Sequence, residues 1–158
     1  VAVMMSFIYQ IRELQNGGEF VVLLFLAAWG NDTLAYCTGM LIGKHKMSPI
    51  LSPKKSIEGL VGGIVGAAIL GALYGLYLNT YIRFSFNPVT MFPIVCGLSG
   101  AVSVIGDLAA SAIKRDSGIK DYGTLIPGHG GILDRFDSII FIAPVIYYLT
   151  VMISGGAI

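Results

Sequence analysis

The chain has 158 residues, of which 55% are hydrophobic and only 12% charged, with a formal net charge of +1. A soluble domain would carry roughly 25% charged residues, and the mean hydropathy of +0.79 points instead to one all-α membrane domain, a polytopic helix bundle. With no basic run interleaved with aromatics, nothing in the composition supports a nucleic-acid partner.

Residues 1 to 11 are apolar but too short to cross a bilayer, and they read as the end of a helix. The opening stretch VAVMMSFIYQI has neither a starting Met nor a signal-peptide pattern, so the expectation is the carboxy-terminal part of a longer protein. A polar turn, Arg12 to Glu19, precedes the first full span, Phe20 to about Gly43. Gly30 and the polar Asn31-Asp32-Thr33 near the middle of that span invite a kink. A basic loop, Lys44 to about Ser56, comes next, in which Pro49 and Pro53 prevent a regular helix. The second span, Ile57 to Leu78, repeats the GxxxG spacing at Gly59/Gly63, Gly62/Gly66 and Gly71/Gly75, a pattern that lets helices pack closely in lipid.

A short connection, Asn79 to Asn87, leads to a third span from Pro88 to about Ile113, with Asp107 toward its end. The last span runs from Ser138 to about Ser154, and Tyr147-Tyr148 are candidate interface anchors. Cys37 and Cys96 lie in apolar segments without metal-ligand spacing and read as structural thiols. Eight of the ten Lys and Arg residues fall in the two loops 44–55 and 114–135. These loops are two crossings apart, so the positive-inside rule places both in the cytoplasm.

The polar stretch from Asp107 to Asp137 is the chemical centre of the sequence. Asp107, Ser111 and Lys114 share a helix face at i, i+4 and i+7. Arg115, Lys120 and Asp121 come after them, then Gly128-His129-Gly130-Gly131 and Asp134-Arg135-Phe136-Asp137. Carboxylates alternating with cations suit a metal–nucleotide site, with oxygen ligands for Mg²⁺ and cations for phosphate. An Asp inside a span normally faces a cavity or a partner, which singles out Asp32 and Asp107. Asp107 and Asp134, at the ends of consecutive helices, are the first choice for metal ligands, and a shared ion would hold their carboxylates within ~6 Å. Asp121 and Asp137 are second choices, since either could pair with Lys120 or Arg135 or cap the last helix. His129 fits phosphate binding or loop organisation better than proton transfer.

The run from Ser111 through Lys114-Arg115, Lys120-Asp121, Gly123, Pro127 and His129-Gly130-Gly131 to Asp134-Arg135-x-Asp137 resembles the signature of the phosphatidate cytidylyltransferases, the CDP-diacylglycerol synthases. The segment Ser52-Pro53-Lys54-Lys55-Ser56-x-Glu58-Gly59 is similar to a second family segment, with Ser56 where Thr is common, and Trp29-x-x-Asp32-Thr33-x-Ala35-Tyr36 to a third. The resemblance implies an Mg²⁺-dependent nucleotidyltransferase of phospholipid biosynthesis that condenses CTP with phosphatidate to CDP-diacylglycerol and pyrophosphate. It implies a multi-pass protein of the bacterial inner membrane or its equivalent. Asp107, Asp134, Lys114, Arg115, Lys120, Asp121, His129 and Arg135 are then the candidate catalytic residues. Asp32, Ser52, Lys54, Lys55, Ser56, Ser111, Gly130 and Gly131 are candidates for substrate binding. A second metal ion and a homodimer are left open. The rival readings are another CTP-using membrane enzyme, such as a polyprenol kinase or an ether-lipid cytidylyltransferase, and an ion or proton transporter.

Overall fold

The computed structural model describes residues 2–48, 52–119, 122 and 133–154. They form helices α1 (Ala2–Glu13), α2 (Gly17–Phe25) and α3 (Asn31–Ile42), strands β1 (Lys46–Ser48) and β2 (Ser52–Ser56), and helices α4 (Ile57–Tyr81), α5 (Pro88–Asp116) and α6 (Leu133–Ile153). Four stretches are long and apolar enough to cross a membrane: Gly17–Ile42, Ile57–Tyr81, Pro88–Asp116 and Phe136–Ile153. This is a multi-pass membrane protein, with the four spans expected from the sequence.

The expected kink near Gly30 takes the form of a π-helical segment, Leu26–Gly30, that joins α2 to α3 without breaking the span. A π-bulge adds a residue to the turn and re-aims the residues after it, here Asn31 and Asp32. The basic loop after α3 is not helical in its described residues, as expected, and it carries a ribbon that the sequence did not specify: β1 and β2 pair antiparallel, with Lys46 opposite Ser56 and Ser48 opposite Ser52. Pro53 bars a helix, yet a two-stranded ribbon tolerates it because both strands are edges. At the end of α5, Gly118 takes a left-handed φ of 67°. Gly118 N–H donates to the Arg115 carbonyl and Ile119 N–H to that of Lys114, a Schellman closure that stops the helix.

The GxxxG glycines make one side of α4 nearly flat. A Cβ at Gly62 would collide with the Thr38 side chain and one at Gly66 with that of Leu34, both on α3, whereas one at Gly75 would lie 2.5 Å from the Pro88 carbonyl oxygen of α5. Val61, Val65, Ile69 and Leu73, every fourth residue on α4, are instead more than half exposed, as a lipid-facing stripe would be. Without a hydrophobic drive between helices in lipid, this close approach of backbones is what joins α3, α4 and α5. Phe20, Phe84, Phe86 and Phe92 cluster at the end of the bundle where α4 connects to α5. Cys96 is buried and Cys37 half-buried, neither in a disulfide.

Candidate functional site

The hairpin, the end of α5 and the start of α6 meet at the other end of the bundle. On α5, Gly106 has no side chain, and a Cβ there would strike the Phe141 ring at 2.6 Å, so α6 passes close beside Asp107. Ser138 Oγ donates to Asp107 Oδ1 at 2.5 Å and lies 3.4 Å from Asp32 Oδ2. Lys55 Nζ donates to Asp107 Oδ2 at 2.7 Å. Four elements, α3, β2, α5 and α6, therefore contribute one polar group each to a single cluster.

Two helical turns further along the same face of α5, Lys114 Nζ lies 3.7 Å from Asp137 Oδ2 and 5.2 Å from the centre of the Tyr122 ring. The shared face read from the i, i+7 spacing of Asp107 and Lys114 is thus directed at α6. Asp137 also accepts from Ser138 N–H at 2.9 Å. Its pairing with Lys114 was not among those expected from the sequence.

A cavity of about 510 Å³ opens over the cluster. Its polar wall includes Asn31, Asp32, Lys46, Lys55, Ser56 and Asp107, and its apolar wall Tyr36, Met40, Met47, Leu60 and Val104. Such a mixture suits a ligand with a charged head and an apolar body. In that polar wall, the buried Asn31 fits between Gly63 and Gly100, and its Oδ1 has no hydrogen-bond partner among the described residues, as is also true of Ser99 and Ser103 Oγ. Ser56 Oγ accepts from Gly59 N–H at 3.1 Å and caps α4, which turns the chain from Lys55 directly into the helix.

Of the residues expected from the sequence, Asp32, Lys55, Ser56 and Asp107 come together at the cavity, and Lys114 and Asp137 form the adjoining pair. Ser111 is half-buried on α5 and Arg115 is exposed near its end. For Ser52, Lys54, Asp134 and Arg135 only the backbone lies within the description, Asp134 and Arg135 in the first turn of α6, so the expected approach of Asp134 to Asp107 falls outside it. Lys120, Asp121, His129, Gly130 and Gly131 also lie outside the described residues. Sequence reasoning missed Ser138, Asn31, Lys46 and the apolar wall. Ser138 and Asn31 each adjoin a chosen Asp, and that adjacency was the available signal.

Among the described residues, no three His, Cys, Asp or Glu side chains converge into a ready-made metal cage. The donor set at hand consists of two carboxylates and a hydroxyl, all hard oxygen donors. That fits Mg²⁺, which commonly takes one or two carboxylates and completes its shell with water and substrate phosphate.

The model of the cytidylyltransferase family matches residues 1–153. The chain is 37% identical over 148 residues to a phosphatidate cytidylyltransferase of Staphylococcus saprophyticus, covering 94% of this chain and 55% of the relative. It is 39% identical over 151 residues to that of Staphylococcus aureus, covering 96% of this chain and 55% of the relative. The chain thus spans about half the length of the curated relatives it matches.

Proposed function

The chain belongs to the cytidylyltransferase family, and from that premise we propose that it is the catalytic part of an enzyme joining CTP to phosphatidate, giving CDP-diacylglycerol and pyrophosphate. The observation that carries this reading is the cavity itself: Lys55, Asp107 and Asp32 meet at its polar wall, with Ser138 bonded to Asp107, while Tyr36, Met40 and Met47 line the other. CTP would enter from water and the acyl chains would stay in lipid. Under the positive-inside rule the cavity faces the cytoplasm, here of a bacterial inner membrane.

The reaction brings two polyanions together, so its main demands are charge neutralisation and positioning. The lipid phosphate attacks the α-phosphorus of CTP and pyrophosphate leaves. Near neutral pH a phosphate monoester is already a nucleophile, so no side chain has to remove a proton. Lys55 and Lys114, each now paired with a carboxylate, would turn toward phosphate oxygens. Lys54, Arg115, Lys120 and Arg135 add cations from the same segments, and His129 with Gly130 and Gly131 would cradle phosphate. Asp107 and Asp134 would hold Mg²⁺, with Asp32, Asp121 and Asp137 as further carboxylates. The bound ion supplies neutralisation at phosphate oxygens. Ser138 fixes the orientation of Asp107.

Labelled CTP offered with phosphatidate, a polyprenol or an ether-linked phospholipid precursor tests the acceptor. Label in a CDP-lipid only with phosphatidate is the expected result, and label transferred as phosphate to a polyprenol would overturn the reading.

A further inference from the structure

Lys46 was not among the residues singled out in the sequence, yet it lines the cavity together with Lys55 and Asp107. It is exposed at the mouth, and its ammonium has no ion-pair partner among the described residues. Its backbone pairs with Ser56 on β2, and its neighbour anchors the start of the strand. His45 N–H donates to both carboxylate oxygens of Glu58, at 3.3 and 3.2 Å, and His45 Nδ1 lies 2.6 Å from Glu58 Oε1. In return, Ile57 N–H donates to the His45 carbonyl at 3.0 Å.

Glu58 is the second residue of α4, after the Ser56 cap and Ile57. It would suit the positive helix end wherever it pointed. Its carboxylate instead crosses to the residue just before β1 and fastens that strand to α4 by three contacts. Lys55 needs no such clasp, because it leads into the capped start of α4 through Ser56. Strand β1 reaches the cavity beside β2, after Gly43 and Lys44, and the His45–Glu58 clasp fixes its entry.

We infer that Lys46 is a further contact for the triphosphate of CTP and that Glu58 is its positioning residue, acting through His45 and β1. A lysine at the aqueous mouth is a mobile point charge suited to a polyphosphate arriving from water. Lys55, only 32% exposed and bonded to Asp107, sits deeper. The inference rests on the proposed reaction for its kinetic consequences, but the clasp and the anion contact can each be tested without turnover.

The test uses the full-length protein in lipid, with K46Q, E58A, E58Q and the double variant K46Q/E58A. K46Q and E58A should each raise KM for CTP about three- to tenfold, with kcat and KM for phosphatidate nearly unchanged. The double variant should be no worse than K46Q, because both changes remove the same contact. E58Q keeps an acceptor for His45 N–H and should recover most of the affinity. Hydrogen exchange across 44–48 should be faster in E58A and close to wild type in E58Q. Additive effects, a rise in KM for phosphatidate in place of CTP, or unchanged exchange in folded E58A would overturn the inference. If the wild type turns over no CTP, the proposed reaction fails separately. Calorimetric binding of inorganic tripolyphosphate then decides, and equal affinity in wild type and K46Q would refute the contact.

Discussion

Ser138 Oγ lies 2.5 Å from Asp107 Oδ1, a contact between the start of α6 and the end of α5 made possible by the bare backbone of Gly106. With Lys55 on the other carboxylate oxygen, both oxygens of Asp107 are engaged. A charge-assisted hydrogen bond of this kind contributes about 1.5 to 3 kcal/mol, and its loss would displace a carboxylate on which the proposed reaction relies. Ser138→Ala is expected to lower kcat by about 10- to 100-fold while leaving the protein folded. Single-turnover rates beside thermal unfolding check this, and a variant with wild-type kcat would remove Ser138 from the account.

Lys54 and Lys55 stand before a membrane helix, where cations are favoured for topology alone. The Lys55–Asp107 bond shows that at least one of them turns inward. Changing both to Gln should therefore raise the apparent KM for CTP, by about tenfold or more if each contributes a charge-assisted contact. An unchanged KM would mean that the pair serves only insertion.

The glycine side of α4 makes a stability prediction that is independent of chemistry. A Cβ at Gly75 meets the Pro88 carbonyl oxygen at 2.5 Å, and backbone cannot move aside as a flexible side chain can. Gly75→Val should destabilise the bundle by about 1 to 3 kcal/mol and lower Tm. Gly18, with open space around the position of a Cβ, should accept Ala with little change, and equal Tm values for the two variants would contradict this packing.

Orientation can be checked by labelling. With Cys37 and Cys96 replaced by Ser, a thiol at Arg83 should react in intact cells with a membrane-impermeant reagent, and a thiol at Lys44 only after lysis. The reverse pattern would place the cavity on the outer face.

Hydropathy made the four spans legible because a bilayer imposes length and apolarity on a helix. The GxxxG spacing likewise showed which side of α4 packs. The hairpin was not legible, since Pro49 and Pro53 exclude a helix without specifying a ribbon, and its pairing depends on where α3 and α4 stand in space. The carboxylates stood out because an Asp in a span is costly, whereas Ser138 and Asn31 carry no charge and are ordinary in a membrane helix. Their roles come from the π-segment that turns Asn31 inward and from Gly106, which admits α6. The pairing of Lys114 with Asp137 was half legible: the helix face was readable, and its partner depended on how α6 returns.

The most direct test of the central claim is pyrophosphate release from CTP by the full-length, membrane-embedded protein, with and without phosphatidate and Mg²⁺, beside Asp134→Asn. The account predicts release that requires CTP, phosphatidate and Mg²⁺ together and is lost in the variant. Release without phosphatidate, or undiminished in Asp134→Asn, would contradict it.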